Sequence, residues 1–200
     1  MTRLPAVGIT EFSATDIGSL LFYNCTNAKY AGKLSLIYGR NYSAYNSLYN
    51  NCSNLLVCPN ITSTVATYGY DFCNLCRDCS ELVIGPKLNI SGTGSNSVLS
   101  ETFLHDNKLR WVWLTGRNSS VFSSFFSKNW MSGAETAGLD GTFICPRGMG
   151  TNATITRGAS GVPSSWTVVN EEDIDFTAKT TCKAENLTIT LDVDLKPGAT

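Results

Sequence analysis

Charged residues are scarce in this sequence, and the few that occur are scattered. They make up 16% of the 200 residues, against about 25% in a typical soluble domain. The net charge is −1 at pH 7, and no two Lys or Arg residues are adjacent. Because nucleic acids and anionic membranes bind concentrated positive surfaces, the sequence argues against both as partners.

Long apolar runs are also missing. No stretch approaches the roughly 18 consecutive apolar residues that a membrane-spanning helix needs. The amino-terminal segment has no apolar signal-peptide core, since it carries Glu11 and Asp16. We therefore expect no direct membrane insertion by this chain.

Catalytic and cofactor motifs are lacking as well. The one histidine, His105, is followed by Asp106, but adjacent residues rarely orient each other in a catalytic triad. The Gly-rich segments match neither the dinucleotide nor the phosphate-loop pattern. The acidic run from Glu171 to Asp175 lacks the spacing of a calcium loop and is interpreted as a solvated loop. No cofactor and no metal are expected, and a non-enzymatic role is favoured.

What the sequence does contain in excess is the tripeptide Asn-X-Ser/Thr, the acceptor of N-linked glycans. With 17 asparagines, chance would give about three or four such sites, yet there are eight. They predict glycosylation at Asn24, Asn41, Asn51, Asn60, Asn89, Asn118, Asn152 and Asn186. The sequons predict an extracellular or cell-surface location through the secretory pathway. Without a signal peptide, we expect the chain to be a mature or excerpted piece of a longer precursor.

The even number of cysteines, eight, predicts four disulfide bonds in an oxidising compartment. The cysteines are Cys25, Cys52, Cys58, Cys73, Cys76, Cys79, Cys145 and Cys182. We predict a bridge between Cys145 and Cys182, and leave the other pairings open. The Cys-x-x-Cys spacing of Cys73, Cys76 and Cys79 leaves two alternatives to a disulfide-bonded loop, a zinc site and a redox-active bridge.

Alternation of apolar and polar residues predicts strands almost throughout. The clearest strand is 187–195, where alternation is unbroken over nine positions. Further strands are predicted at 33–38, 62–70, 81–84, 109–114, 142–145, 153–156 and 166–169, and short helices at 16–23 and 127–137. No internal repeat is evident. The sequence therefore predicts a single all-β domain over 1–200, an antiparallel sandwich or jelly-roll-like fold stapled by disulfides, with a possible subdomain boundary near 91–100.

Aromatic side chains are the candidate recognition residues. Tyr42, Tyr45 and Tyr49 follow each other in an Asn/Ser-rich segment, where exposed rings would suit a protein or carbohydrate ligand. Trp130 is the fourth candidate, whereas Trp111 and Trp113 are expected to pack in the core.

Three functions remain open from the sequence. The favoured one is a recognition or attachment module, or the ectodomain of a surface glycoprotein, whose ligand is a protein or carbohydrate at a cell surface. The second is a secreted polysaccharide hydrolase that uses two carboxylates. These would come from Glu101, Asp106, Glu135, Asp140, Glu171, Glu172, Asp173 and Asp175. The third is a structural coat or cell-wall glycoprotein.

Overall fold

A computed structural model describes most of the chain. The described residues are 3–9, 18–32, 34–36, 45–63, 72–89, 99–116, 129–148, 155–158, 161–183 and 186–195. Tyr42 and the sequons at Asn41, Asn118 and Asn152 lie outside them, as do half of the strand predicted at 153–156 and most of the one predicted at 62–70.

Seven short strands of the described residues form one sheet in which every pair of neighbours is parallel. The strands follow one another across the sheet in chain order. They are β1 (Val7–Ile9), β2 (Leu34–Leu36), β3 (Ile61–Ser63), β4 (Ile84–Asn89), β5 (Trp111–Thr115), β6 (Thr142–Cys145) and β7 (Thr167–Asn170). A sheet that adds one parallel strand per passage of the chain is the framework of a solenoid.

The solenoid repeats every 27 residues over its first rungs, where a rung is one complete passage of the chain. Val7 pairs with Leu34, Leu34 with Ile61, and Ile61 with Leu88. Side chains in this column pack inward, and Leu34 and Ile61 are almost fully buried. A repeat of this length is in the range of known solenoid units, in which each rung buries its apolar face only by stacking on the next.

Each rung turns in the same way on the side away from the sheet. The turn segments 18–24, 45–51, 72–78 and 99–105 stack with the same 27-residue spacing. Every second N–H of one turn donates to a carbonyl of the next, as Leu20 does to Asn46 at 3.1 Å and Phe22 to Leu48 at 3.0 Å. The backbone groups of these irregular segments are thereby satisfied without helix or strand.

Two positions in each turn have positive φ, four residues apart. The first pair of positions is occupied by Leu20 and Asn24, with φ near 60°. The equivalent pairs are Ser47 and Asn51, Asn74 and Asp78, and Glu101 and His105. Asn and Asp tolerate this left-handed conformation better than other non-glycine residues, which accounts for their recurrence here.

Aromatic rings fill the interior between the sheet and the turns. Phe22 stacks on Tyr49 of the next rung with ring centroids 5.6 Å apart, and Tyr45 stacks on Phe72 at 5.3 Å. Farther along, Trp130 lies 6.0 Å from Phe103 and meets the ring of Phe143 edge-on. One cluster of buried apolar side chains runs through these rungs.

The repeat ends with a short helix, α1 (Ser132–Ala137), which takes the place of a turn. Gly133 is required at its start, because a Cβ there would lie 2.6 Å from the backbone nitrogen of Asp106. Gly138 ends the helix in the left-handed conformation. A 3₁₀ turn (Glu171–Asp173) then leads to an antiparallel hairpin of β8 (Ile174–Lys183) and β9 (Asn186–Leu195).

The prediction of an antiparallel sandwich or jelly roll is wrong. The described main sheet is parallel throughout, and only the β8–β9 hairpin is antiparallel. Alternation of apolar and polar residues locates strands but does not distinguish a parallel partner from an antiparallel one. The strand predicted at 142–145 is present with the same bounds, and those predicted at 109–114 and 187–195 overlap β5 and β9.

Candidate functional site

The outward face of the sheet carries a column of exposed side chains along the solenoid axis. Arg3, Tyr30, Val57, Ile84 and Trp111 occupy the same position in successive rungs and pair in register. We call this column the outer stripe. Tyr30 is 50% exposed, Ile84 42% and Val57 36%, so the apolar members are open to a partner.

The outer stripe is widened by a neighbouring column and by a groove. Val83, one residue before Ile84, is also exposed. The groove has a volume of about 460 Å³. It is lined by Arg3, Tyr30, Ala31, Val57 and Pro59. Contiguous exposed apolar surface of this kind marks interaction sites in soluble proteins, whereas single exposed apolar residues do not.

Only the first rungs leave the outer face open. Towards the carboxyl-terminal end, Ile144, Val169 and Ile174 form a second buried cluster, against which Trp111 and Trp113 pack. Ile174, the first residue of β8, thus brings apolar cover to the later strands. The accessible part of the outer stripe is Tyr30, Val57 and Ile84. The expectation that both tryptophans pack in a core is met only in part, because both rings are partly exposed.

An ion pair, a cation–π contact and a hydrogen bond attach the 3₁₀ turn to the sheet. Lys87 Nζ lies 3.6 Å from the ring centroid of Trp113 and forms a 3.0 Å ion pair with Glu171. Thr115 Oγ1 donates to the same carboxylate at 3.1 Å. A pocket of about 380 Å³ lies beside these contacts and is lined by Gly116, Arg147, Glu171 and Glu172.

One of the two described carboxylates that line the pocket is used in a structural contact. Glu171 is already engaged by Lys87 and Thr115 in a structural contact. The other carboxylates of the described rungs are dispersed: Glu101 pairs with Arg77, Glu135 binds Ser164, and Asp106 is buried. The predicted acidic loop is therefore a short 3₁₀ turn with its first carboxylate bound to the sheet.

The cysteines line the interior in two groups. Cys25, Cys52 and Cys79 are equivalent positions of three rungs. The thiol of Cys52 donates to the Phe22 carbonyl at 3.1 Å. Cys58 and Cys76 lie side by side in the core, with 3.6 Å between their sulfur atoms.

The prediction of a disulfide-stapled fold is wrong for the described residues. None of the seven cysteines with described side chains forms a disulfide, and the side chain of Cys182 lies outside that set. The seven cysteines without a disulfide are Cys25, Cys52, Cys58, Cys73, Cys76, Cys79 and Cys145. The physical reason is that the described rungs use their interior cysteines as small apolar groups and weak donors.

The alternatives for the Cys-x-x-Cys segment find no support in the geometry. Burial raises the pKa of the Cys52 thiol to about 12 and raises the pKa of Cys76 and Cys79 well above the ordinary value. Reactive cysteines need the opposite shift, towards the thiolate. Among the described residues, no group of three or more His, Cys, Asp and Glu side chains is placed to hold a metal ion.

Asp106 occupies the next position of the cysteine column. It is fully buried, and its Oδ1 accepts the backbone N–H of Cys79 at 2.8 Å. Its Oδ2 has no hydrogen-bond partner within the described part of the chain. Desolvation raises the pKa of this carboxyl well above its usual range.

Three of the four aromatic residues predicted for recognition lie in the interior, and the fourth, Tyr42, is outside the described residues. Tyr49 and Trp130 are fully buried and Tyr45 is 3% exposed, so these rings do not face a ligand. The error arose because their Asn/Ser-rich context is a stacked turn, whose polar backbone is satisfied by the next rung. Tyr30, which does face outward, was missed because nothing in its neighbourhood marks a strand.

Two of the predicted glycosylation sites are neighbours in space. Asn51 Nδ2 donates to Asn24 Oδ1 at 2.8 Å across 27 residues. Both occupy the left-handed turn position, and Cys25 and Cys52 follow them in the thiol column. The repeat therefore accounts for these two sequons independently of glycosylation. Asn60 is exposed, and its Oδ1 accepts the backbone N–H of Lys87.

Comparisons with known proteins give no relative from which a function could be transferred. No family model, no curated protein and no solved structure matches the chain. No helix among the described residues has the length and hydropathy to cross a membrane. The functional assignment therefore depends on the geometry of the outer face.

Proposed function

We propose that the protein is a non-enzymatic recognition or attachment module that binds a partner on the outer face of its solenoid. The single observation that carries the proposal is the open part of the outer stripe, where Tyr30, Val57 and Ile84 lie in register on three successive rungs. Rigid, stacked rungs present such a surface with little ordering cost on binding, and solenoids commonly use extended surfaces to bind.

The location proposed with this function is a cell surface. It is supported by the sequons outside the repeat pair, such as Asn60, whose side chain is exposed. The proposed ligand is a protein or carbohydrate displayed there. Three of the carboxylates from which a hydrolase would draw its pair, Glu101, Glu135 and Glu171, make structural contacts instead.

Binding of the purified protein to arrays of ectodomains and glycans tests the proposal. Ile84→Glu places a charge in the open stripe, whereas Asn107→Glu adds the same charge to an exposed turn position away from the sheet. We expect the wild type and Asn107→Glu to bind the same array members and Ile84→Glu to lose at least tenfold in affinity. Equal binding by all three proteins would refute the outer stripe as the binding surface.

A further inference from the structure

The outer stripe is bordered by positive charge at its amino-terminal end. Arg3 begins the stripe, and Lys29 immediately precedes Tyr30. Both side chains are exposed, and neither is in an ion pair with another described residue. The sequence contains no Asp or Glu from residue 17 to residue 70, so the turns and strands over that range supply no carboxylate.

The spacing of the outer stripe limits the partner's backbone. Stacked rungs are about 4.8 Å apart, the distance between neighbouring strands. One turn of α-helix rises about 5.4 Å, whereas the two-residue repeat of an extended strand is about 6.6 Å or more. Across the two steps from Tyr30 to Ile84, a helix drifts out of register by only about 1 Å and a strand by almost 4 Å.

The groove next to Tyr30 supplies a place for an anchoring side chain. Its lining by Ala31, Val57 and Pro59 is apolar, and Arg3 lies at its edge. An apolar side chain in such a groove, surrounded by a contact rim, is the usual arrangement of a binding hot spot. The same site would place a carboxylate of the partner beside the guanidinium.

From these observations we propose that the partner's binding element is an amphipathic, acidic α-helix that lies along the outer stripe. Its apolar residues at i, i+3 or i+4, and i+7 contact Ile84, Val57 and Tyr30 in turn. Its carboxylates lie at the end next to Arg3 and Lys29. This inference rests on the proposed recognition function and adds the chemistry of the partner.

A synthetic helix is a direct probe. We would use a peptide of about 15 residues with leucines on one face and glutamates in the terminal turn that meets Arg3. Two controls have the same length and differ from it in one feature each: one contains a central proline that breaks the helix, and one has lysines in place of the glutamates. We expect the acidic helix to bind best, with affinity that falls as salt rises.

Variants of the protein test whether the peptide binds to the outer stripe. Val57→Glu should abolish peptide binding, whereas Asn107→Glu should leave it unchanged. Arg3→Glu combined with Lys29→Glu should weaken the acidic peptide about five- to tenfold and strengthen the lysine peptide by a similar factor. Equal binding of the proline-containing peptide, or no reversal of charge preference, would overturn the proposal.

Failure of this inference can be told apart from failure of the proposed function. If Ile84→Glu abolishes binding to an array member while no helical peptide binds, the outer stripe recognises a partner of another kind, and the helix is wrong. If Ile84→Glu leaves array binding intact, the recognition function itself is wrong for this face.

Discussion

The thiol of Cys52 donates a hydrogen bond to the carbonyl oxygen of Phe22, one rung earlier, over 3.1 Å. Cys79 repeats the contact with Tyr49 at the same distance. Burial keeps both thiols protonated, because it raises the pKa of each. Neighbouring rungs are thus tied by a ladder of thiol donors inside the solenoid, in addition to the backbone bonds of the turns.

Removing one thiol of this ladder should destabilise the fold. Cys52→Ala leaves the Phe22 carbonyl without its donor and opens a small cavity, so we expect a loss of about 1–3 kcal/mol in the free energy of unfolding. Cys52→Ser keeps a donor and should lose less. Cys25→Ala, at the half-buried head of the column, is the matched control. Urea unfolding gives the values, and equal losses for the three variants would contradict the ladder.

The left-handed turn positions predict a stabilising substitution. Leu20 has a φ of 60° and is 55% exposed, so its side chain contributes little packing while its backbone is strained. The same conformation is occupied by Asn24. Leu20→Asn should raise the free energy of unfolding by up to about 1 kcal/mol. The control is Leu21→Asn, at a neighbouring exposed position whose φ is not positive, and a gain there of equal size would refute the strain.

Asp106 makes stability depend on pH. Its carboxyl pKa is raised in the folded state, mainly by desolvation, with smaller contributions from Asp78 and opposition from the Cys79 N–H. The folded state therefore holds a proton that the unfolded chain releases near its ordinary pKa of about 3.9. The stability that this raised pKa contributes is fully present below the unfolded-state pKa and is lost as pH rises towards the folded-state pKa.

The substitution Asp106→Asn isolates the effect, because it keeps the acceptor for Cys79 and cannot ionise. The difference in unfolding free energy, wild type minus variant, should fall with a slope of up to about 1.4 kcal/mol per pH unit above the unfolded pKa. Urea titrations from acidic to mildly basic pH measure it. A difference that stays constant, or that grows with pH, would show that Asp106 is not a buried, protonated acid.

The packing of the repeat limits which sequons can carry a glycan, and glycan mapping tests this limit. Because Asn51 Nδ2 contacts Asn24 Oδ1 at 2.8 Å, two glycans on these side chains would occupy the same space. For protein expressed through a secretory pathway, we expect modification of Asn60 and of at most one of the pair in any molecule. Glycopeptide mass spectrometry reads the occupancy. Molecules with glycans on both Asn24 and Asn51 would contradict the packing of these turns.

The sequence identified many strands but not their arrangement. At Thr142–Cys145 the apolar residues and their flanking turns define a strand, and the structure has one with the same bounds. The sequence could not show whether neighbouring strands are parallel or antiparallel, because both arrangements impose the same alternation on so short a segment. The sequence therefore located some strands, such as β6, but missed β1, and the predicted sandwich topology was incorrect.

The repeat was present in the sequence, at positions that were interpreted separately. Cys25, Cys52 and Cys79 are spaced by 27 residues, and so are Asn24 and Asn51. Two leucine columns have the same spacing, Leu21, Leu48 and Leu75, and Leu55, Leu82 and Leu109. Other equivalent sites share only burial or a tolerated φ. The outer stripe could not be found this way, since its members, such as Tyr30 and Ile84, share exposure rather than residue type.

The interior thiols of the solenoid are reduced and donate hydrogen bonds between rungs, and the partner binds on the outer face. The most direct test is alkylation of protein that has been unfolded without reductant, after purification from an oxidising secretory host, with each cysteine located by peptide mass. We predict that all seven cysteines with described side chains, from Cys25 to Cys145, are alkylated. Protection of any pair among them until reductant is added would contradict the thiol ladder and restore the disulfide-bonded fold.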